Sequence, residues 1–252
     1  MRFDIITIFP KIFDSYLNES ILKRAQKNKK IKINVVNLRD FVPLRGISRR
    51  ETDRRSVDDA PFGGGAGMVF KIEPIALAMD SILKIKNQKS PPKADLSQRL
   101  TSLWLARNPL AEKIKIILFS ASGKQFNAKM ASDFARKYNH IIMIAGHYEG
   151  VDERIKSIIK NSGFKFQEMS VGPYVLTGGE LPAMIVIDAV SRHIPGVLGK
   201  EESLEEKRYG IGIPAYTRPE VIKYKNKKYP VPKVLLSGNH KKIAEWRKKH
   251  QK

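Results

Sequence analysis

The chain of 252 residues contains no cysteine. Disulfides, thiolate metal sites and cysteine nucleophiles are therefore excluded. Acidic residues are scarce: 25 Asp and Glu stand against 47 Lys and Arg, a formal charge of +22. Such a balance implies a polyanionic partner, nucleic acid first of all. A lysine-rich genome that places lysine on every solvated face accounts for the same number. No window approaches the ~20 apolar residues of a membrane span. The start, Met1-Arg2-Phe3-Asp4-Ile5, carries an acid inside its apolar run, which stops at Pro10 and is no signal peptide. A cytoplasmic location without membrane association is expected. The histidines His140, His147, His193, His240 and His250 lack metal-ligand spacing, so no metal site is expected from them. No Gly-Lys-Ser/Thr phosphate loop occurs, nor a Gly-x-Gly-x-x-Gly between strand and helix.

What is present suits a globular protein of one large domain or two unequal ones, with 42% hydrophobic and 29% charged residues. Phe3 to Phe9 reads as a buried strand ended by Pro10, and Ile12, Phe13, Tyr16, Leu17, Ile21 and Leu22 come next at helical spacing. Ile31 to Val36 is a second strand. This β-α-β opening predicts an α/β fold, with a mostly parallel sheet and helices on both faces. From Phe41 to Gly67 no period is visible. Arg45, Arg49, Arg50, Arg54 and Arg55 crowd together ahead of Gly63-Gly64-Gly65-Ala66-Gly67. That pattern fits a loop closing over a ligand or an RNA backbone, and equally a solvated surface loop.

A helix is expected from Glu73 to Lys86, an insertion from Asn87 to Glu112, a strand from Ile114 to Phe119 and a turn at Ser120-Ala121-Ser122-Gly123. Asn127 to Tyr138 reads as a helix and Ile141 to Ala145 as a strand, which breaks into Gly146-His147-Tyr148-Glu149-Gly150. Phe164 to Val171 is a last strand, feeding Gly172-Pro173-Tyr174-Val175-Leu176-Thr177-Gly178-Gly179 and a helix from Leu181 to about His193. Taken alone, that glycine-bracketed run is either a pair of ordinary turns or a pocket built from main chain. Three such loops, Ser120–Gly123, Gly146–Gly150 and Val171–Gly179, would leave strands at one sheet edge, where open α/β sheets bind ligands. Beyond a charged linker, Thr217-Arg218-Pro219-Glu220 is expected to open a short helix and Tyr229-Pro230-Val231-Pro232 to form a rigid turn. Ser237-Gly238-Asn239 is expected to cap a last, basic helix through Trp246.

These residues resemble one family: the bacterial tRNA (guanine-N1)-methyltransferases that modify the guanosine 3′ of the anticodon, position 37. The resemblance rests on Asp4 to Pro10, Val57-Asp58-Asp59-Ala60-Pro61-Phe62-Gly63-Gly64-Gly65-Ala66-Gly67-Met68 and Gly146 to Arg154. It continues through Val171 to Pro182, Asp188-Ala189-Val190-Ser191-Arg192, Pro195 to Gly199, Tyr216 to Glu220 and Leu235 to His240. It implies a deep C-terminal trefoil knot of the SPOUT class, a small α-helical C-terminal domain, and a homodimer with active sites at the subunit interface. Domains are expected at 1–198 (knotted methyltransferase), 199–213 (linker) and 214–252 (basic, tRNA-binding). S-adenosylmethionine is implied as methyl donor, and magnesium dependence comes from the resemblance alone.

Carried over by motif, the donor pocket comprises Ser120, Ala121, Gly146, Tyr148, Glu149, Val171, Gly172, Pro173, Tyr174, Val175, Leu176, Gly178, Gly179 and Pro182. Arg192 is implied as the cation beside guanine O6. His147 stands where the family usually has arginine, and Ala121 where it usually has proline. The chain stops soon after Trp246, shorter than typical, from which a weaker grip on RNA is expected. In the linker, where the family places an acid before Ser-Phe, an ungapped reading puts Lys207-Arg208-Tyr209. A shift of one residue brings Glu206 there, with Glu205 behind it. Glu206, or else Glu205, is the expected general base. A knotted methyltransferase for another RNA and an RNA-binding relative without chemistry are the rival readings, the second motivated by Lys207.

Overall fold

Strands buried on both faces need nearly continuous apolar runs, and this chain supplies them most clearly at Ile114–Leu118 and Ile141–Ala145. The computed structural model describes residues 1–42, 56–83, 111–161, 163–199 and 212–250. Two compact units emerge, Met1–Val197 and Leu198–Lys252. In the first, β1 (Arg2–Thr7) leads through a 3-10 turn at Pro10–Phe13 to α1 (Asp14–Leu17), α2 (Ser20–Lys27) and β2 (Lys32–Asn37). The single helix expected over Ile12–Leu22 is thus broken. Asn18 ends α1, and Ser20 sits in the left-handed region at φ 48, so the chain turns between the two pieces. A short hairpin, β3 (Asp58–Asp59) with β4 (Val69–Phe70), precedes α3 (Ile72–Leu83).

Next come β5 (Ile114–Gln125), α4 (Ala128–Lys137), β6 (His140–Ile144), α5 (Arg154–Asn161), β7 (Lys165–Ser170) and α6 (Glu180–Ser191). The Asn127 side chain caps α4 by accepting from the Met130 amide at 3.0 Å. All five long strands are parallel, in the order β2-β1-β6-β5-β7. Alternate side chains feed two cores. Ile116, Leu118, Ile142 and Ile144 face α3 and α5, whereas Ile117, Ile141 and Met143 face α2, α4 and α6. Both faces of the sheet are covered by helices.

A buried carboxylate sits inside this sheet. Asp4 is fully buried on β1 and accepts from Arg2 at 2.9 Å and Asn34 at 2.8 Å, with His140 Nε2 at 2.5 Å. Burial alone would raise its carboxyl, but the bonds from His140, Arg2 and Asn34 and the His140 charge hold it below the usual carboxylate range. The cluster ties β1 to both of its neighbours at one end of the sheet.

The second unit corrects the expectation of an all-helical C-terminal domain. Val221–Tyr224 (β8) and Lys227–Pro230 (β9) form an antiparallel hairpin, followed by α7 (Lys233–Leu236) and α8 (His240–Lys249). No helix opens at Thr217–Glu220, and Tyr229-Pro230 ends a strand instead of making a turn. Lys225 and Asn226 supply the two left-handed residues, at φ 44 and φ 59, that a tight hairpin turn requires. Asn239 does cap the last helix, accepting from the Lys242 amide at 3.1 Å. Among the described residues no helix is long and apolar enough to cross a membrane. The arginine cluster at 45–55, the span 84–110 and the linker at 200–211, with Glu205 and Glu206, lie outside the described residues.

Candidate functional site

Three neighbouring strands, β6, β5 and β7, run toward one edge of the sheet, and the segments after β6 and β7 are bracketed by glycine. The segment at Ser120–Gly123 is not the terminal turn expected. β5 runs on to Gln125, and its register against β7 shifts between Phe119 and Lys124, so Ser120, Ala121 and Ser122 bulge from the strand. Gly123 lies so close to the Met169 amide that only glycine fits.

After β6, the Gly150 amide donates to the His147 carbonyl at 3.0 Å and closes a tight turn. Tyr148 occupies the left-handed region there at φ 57, a conformation uncommon for a bulky residue and worth reading as a site feature. The hairpin β3–β4 supports this turn: Glu149 donates its amide to the Met68 carbonyl at 3.1 Å, and Phe70 meets the Tyr148 ring edge-on at 6.1 Å. After β7, the Ser170 hydroxyl donates to the Gly172 carbonyl at 2.7 Å. The Tyr174 ring folds back onto Gly172, where a Cβ would occupy its place.

The second and third loops are zipped together. Gly179 donates its amide to the Gly146 carbonyl at 2.9 Å, and His147 and Gly178 form an isolated antiparallel bridge. Below them, His147 Nε2 lies 2.6 Å from Glu180 Oε2, and the Thr7 hydroxyl donates to Glu180 Oε1 at 2.6 Å. Between the loops lies a cleft of about 360 Å³, within the usual range for a small-molecule site.

Ser120, Ala121, Gly146, Tyr148, Glu149 and Val171 line this cleft, as do Tyr174, Val175, Leu176, Gly178, Gly179 and Pro182. Gly172 and Pro173 stand outside the wall; Gly172 acts through the Tyr174 ring packed on it. Arg192 is not on the wall either, being the cap residue at the far end of α6. The sequence reading missed Lys156, which lines the cleft between Glu153 at 2.6 Å and Glu168 at 2.7 Å. Burial works against its charge, but hydrogen bonds to those carboxylates outweigh it and hold the ammonium above its ordinary value. The spacing of Glu153 and Lys156 was a visible signal; the Glu168 contact depends on tertiary structure. His147 also lines the cleft. Among the described residues no group of three or more His, Asp or Glu could hold a metal ion.

The arrangement can hold a small molecule that presents apolar surface to Val175 and Leu176, hydrogen-bonding edges to main chain, and positive charge to Glu149. A family model described as tRNA (Guanine-1)-methyltransferase TrmD matches residues 1–252. The tRNA (guanine-N(1)-)-methyltransferase of Dictyoglomus turgidum is 44% identical over 252 residues, covering 99% of this chain and 84% of that protein. Those of Moorella thermoacetica and Carboxydothermus hydrogenoformans are 41% and 43% identical, covering 98% and 99% of this chain and 84% and 82% of theirs.

Proposed function

This chain belongs to the TrmD family of tRNA (guanine-1)-methyltransferases, and on that premise we propose that it methylates N1 of guanosine 37, 3′ of the anticodon, with S-adenosylmethionine as donor. The observation that carries the reading is the single cleft formed by the three strand-end loops. Its glycines suit a tight site, because a Cβ would meet the Ala145 main chain at Gly179 and the His147 imidazole at Gly178, so the third loop packs closely against the second. Glu149 suits a positive charge on the methionine portion. When bound, S-adenosylmethionine supplies an electrophilic methyl group on a sulfonium sulfur. Ser120, Ala121, Gly146, Tyr148 and Glu149 form one side of its site in this reading. Val171, Tyr174, Val175, Leu176, Gly178, Gly179 and Pro182 form the other, with Gly172 and Pro173 shaping it from behind.

Guanine N1 holds its proton at neutral pH, so a base positioned there contributes about 10²–10⁴ in rate. Glu206, with Glu205 behind it, takes that role. Removing the proton moves negative charge onto O6, and the Arg192 guanidinium stabilises it there. Arg192 lies at the opposite end of α6 from Gly179, and a helix of 12 residues spans about 18 Å. In this reading the guanidinium serves the cleft of a second subunit, in a homodimer with composite sites. Support also comes from α6 and the turn after β1, which leave Leu181, Ile185, Tyr16, Ile12 and Phe9 between 41% and 55% exposed. An apolar cluster of this kind marks a protein interface. Within it the Tyr16 hydroxyl donates to Asp188 at 2.7 Å, and that bond, with burial and the Asp188 charge, pushes its pKa up to about 12.

A trefoil knot over the C-terminal half of the first unit agrees with the path of the chain. From edge strand β7 it returns past β5 to zip onto β6 at Gly146. The domain scheme is 1–198 for donor binding and chemistry, 199–213 as linker and 214–252 for tRNA. The charge of +22 and the lysines of α8 suit that last partner. Labelled methyl transfer to transcribed tRNAs with G or another base at position 37 tests the proposal. Transfer to G alone is expected. Transfer independent of that base points to a different RNA site, and donor binding without transfer points to an RNA-binding relative.

A further inference from the structure

We infer that the buried chain of His147, Glu180 and Thr7 is a positioning brace that sets the width of the cleft. This rests on the cleft being the donor site, and deepens that reading. The His147 and Glu180 side chains are only 14% and 5% exposed, and they hydrogen-bond to each other, with Thr7 bonded to the second carboxylate oxygen. The three residues come from three places. Thr7 ends β1, His147 lies just beyond β6, and Glu180 opens α6 directly after Gly178-Gly179. A hydrogen-bond chain across these points fixes the second loop relative to the third.

The ring is boxed in on its other sides as well. Phe9 meets it edge-on at 4.9 Å, and Gly178 has no room for a Cβ because the imidazole and the Glu180 carboxylate fill that space. Tyr148 and Glu180 are the titratable groups in contact with the imidazole. Its Nε2 is committed to Glu180, so its role is to hold Glu180 in place and not to react. Removing the imidazole strips a buried carboxylate of one partner, and such a group moves toward water. Glu180 starts α6, so that movement carries Gly178 and Gly179 away from Gly146 and widens the cleft.

The test is calorimetric binding of S-adenosylhomocysteine to the full chain, with steady-state kinetics alongside. His147→Ala is expected to weaken binding about tenfold, with a matching rise in KM for the donor. His147→Arg, which keeps a donor aimed at Glu180, is expected to restore binding to within about threefold of the parent. Glu180→Ala combined with His147→Ala is expected to bind no worse than either single change, because both break the same link. Binding by His147→Ala within twofold of the parent would overturn the brace. So would an arginine variant no better than alanine, or single effects that multiply in the double variant. Failure of the unmodified chain to bind S-adenosylhomocysteine would instead overturn the donor reading of the cleft.

Discussion

Gly179→Ala is the sharpest steric probe of the cleft. The residue has φ −86 and ψ −1, a conformation open to alanine, so backbone preference plays no part in the outcome. What matters is space. A Cβ at this position would stand 2.5 Å from the Ala145 Cα, 3.0 Å from its Cβ and 3.1 Å from its carbonyl carbon. The obstacle is main chain just beyond β6, which cannot rotate away as a flexible side chain would. Relief requires the loop to retreat by about 1 Å, enough to stretch the 2.9 Å bond from the Gly179 amide to the Gly146 carbonyl. Overpacking of this kind costs about 1–3 kcal/mol, and a weakened hydrogen bond adds about 1 kcal/mol. If the third loop is a wall of the donor site, affinity for S-adenosylhomocysteine should fall about 10- to 100-fold. Isothermal titration calorimetry reads this directly. Gly199→Ala is the control, since a Cβ there meets nothing within 4 Å. Donor affinity unchanged in Gly179→Ala, in a folded protein, would refute the idea that this close approach shapes the donor site.

Other perturbations address separate parts of the account. Asp4→Asn removes the charge that ties β1 to β2 and β6, and should lower stability at pH 7 by about 2 kcal/mol in urea titration. Because the folded-state carboxyl lies below its ordinary value of 3.8, its contribution is present above about pH 4 and is lost as pH falls through the folded value. The difference between parent and variant should therefore shrink in acid. In single-turnover methylation, Glu206→Gln should slow transfer about 10²-fold or more; near-normal transfer by Glu206→Gln with loss in Glu205→Gln would move the base to Glu205. Mixing unfolded Arg192→Ala and Gly179→Ala chains and refolding them together should recover activity that neither has alone, since half of the sites in a heterodimer are intact. No recovery, with heterodimers present, would argue against composite sites.

The sheet was legible because its physics is local. Ile114–Leu118 and Ile141–Ala145 are apolar at almost every position, which is what a parallel strand covered on both faces demands. The meeting of three strand-end loops came from the same reading, and all three line the cleft. Strand order was not legible, since β1 pairs with β6 across a long stretch of intervening chain. Periodicity also missed the break between α1 and α2, which depends on one backbone angle at Ser20. The C-terminal hairpin escaped because its strands are exposed on all sides and carry lysine, so no alternation of buried and exposed positions marks them. Asn226 was the one available signal for its turn. The His147–Glu180–Thr7 chain could not be read at all, as its members meet only when β1, β6 and α6 are assembled.

Methyl transfer to N1 of guanosine 37 is the central claim. Transfer of labelled methyl from S-adenosylmethionine to a transcribed tRNA carrying G37, with mapping of the modified base, reads it directly. One methyl per tRNA at N1 of guanosine 37, and none when that base is changed, is the predicted result. Donor and tRNA binding without transfer, or transfer to any other position, would contradict it.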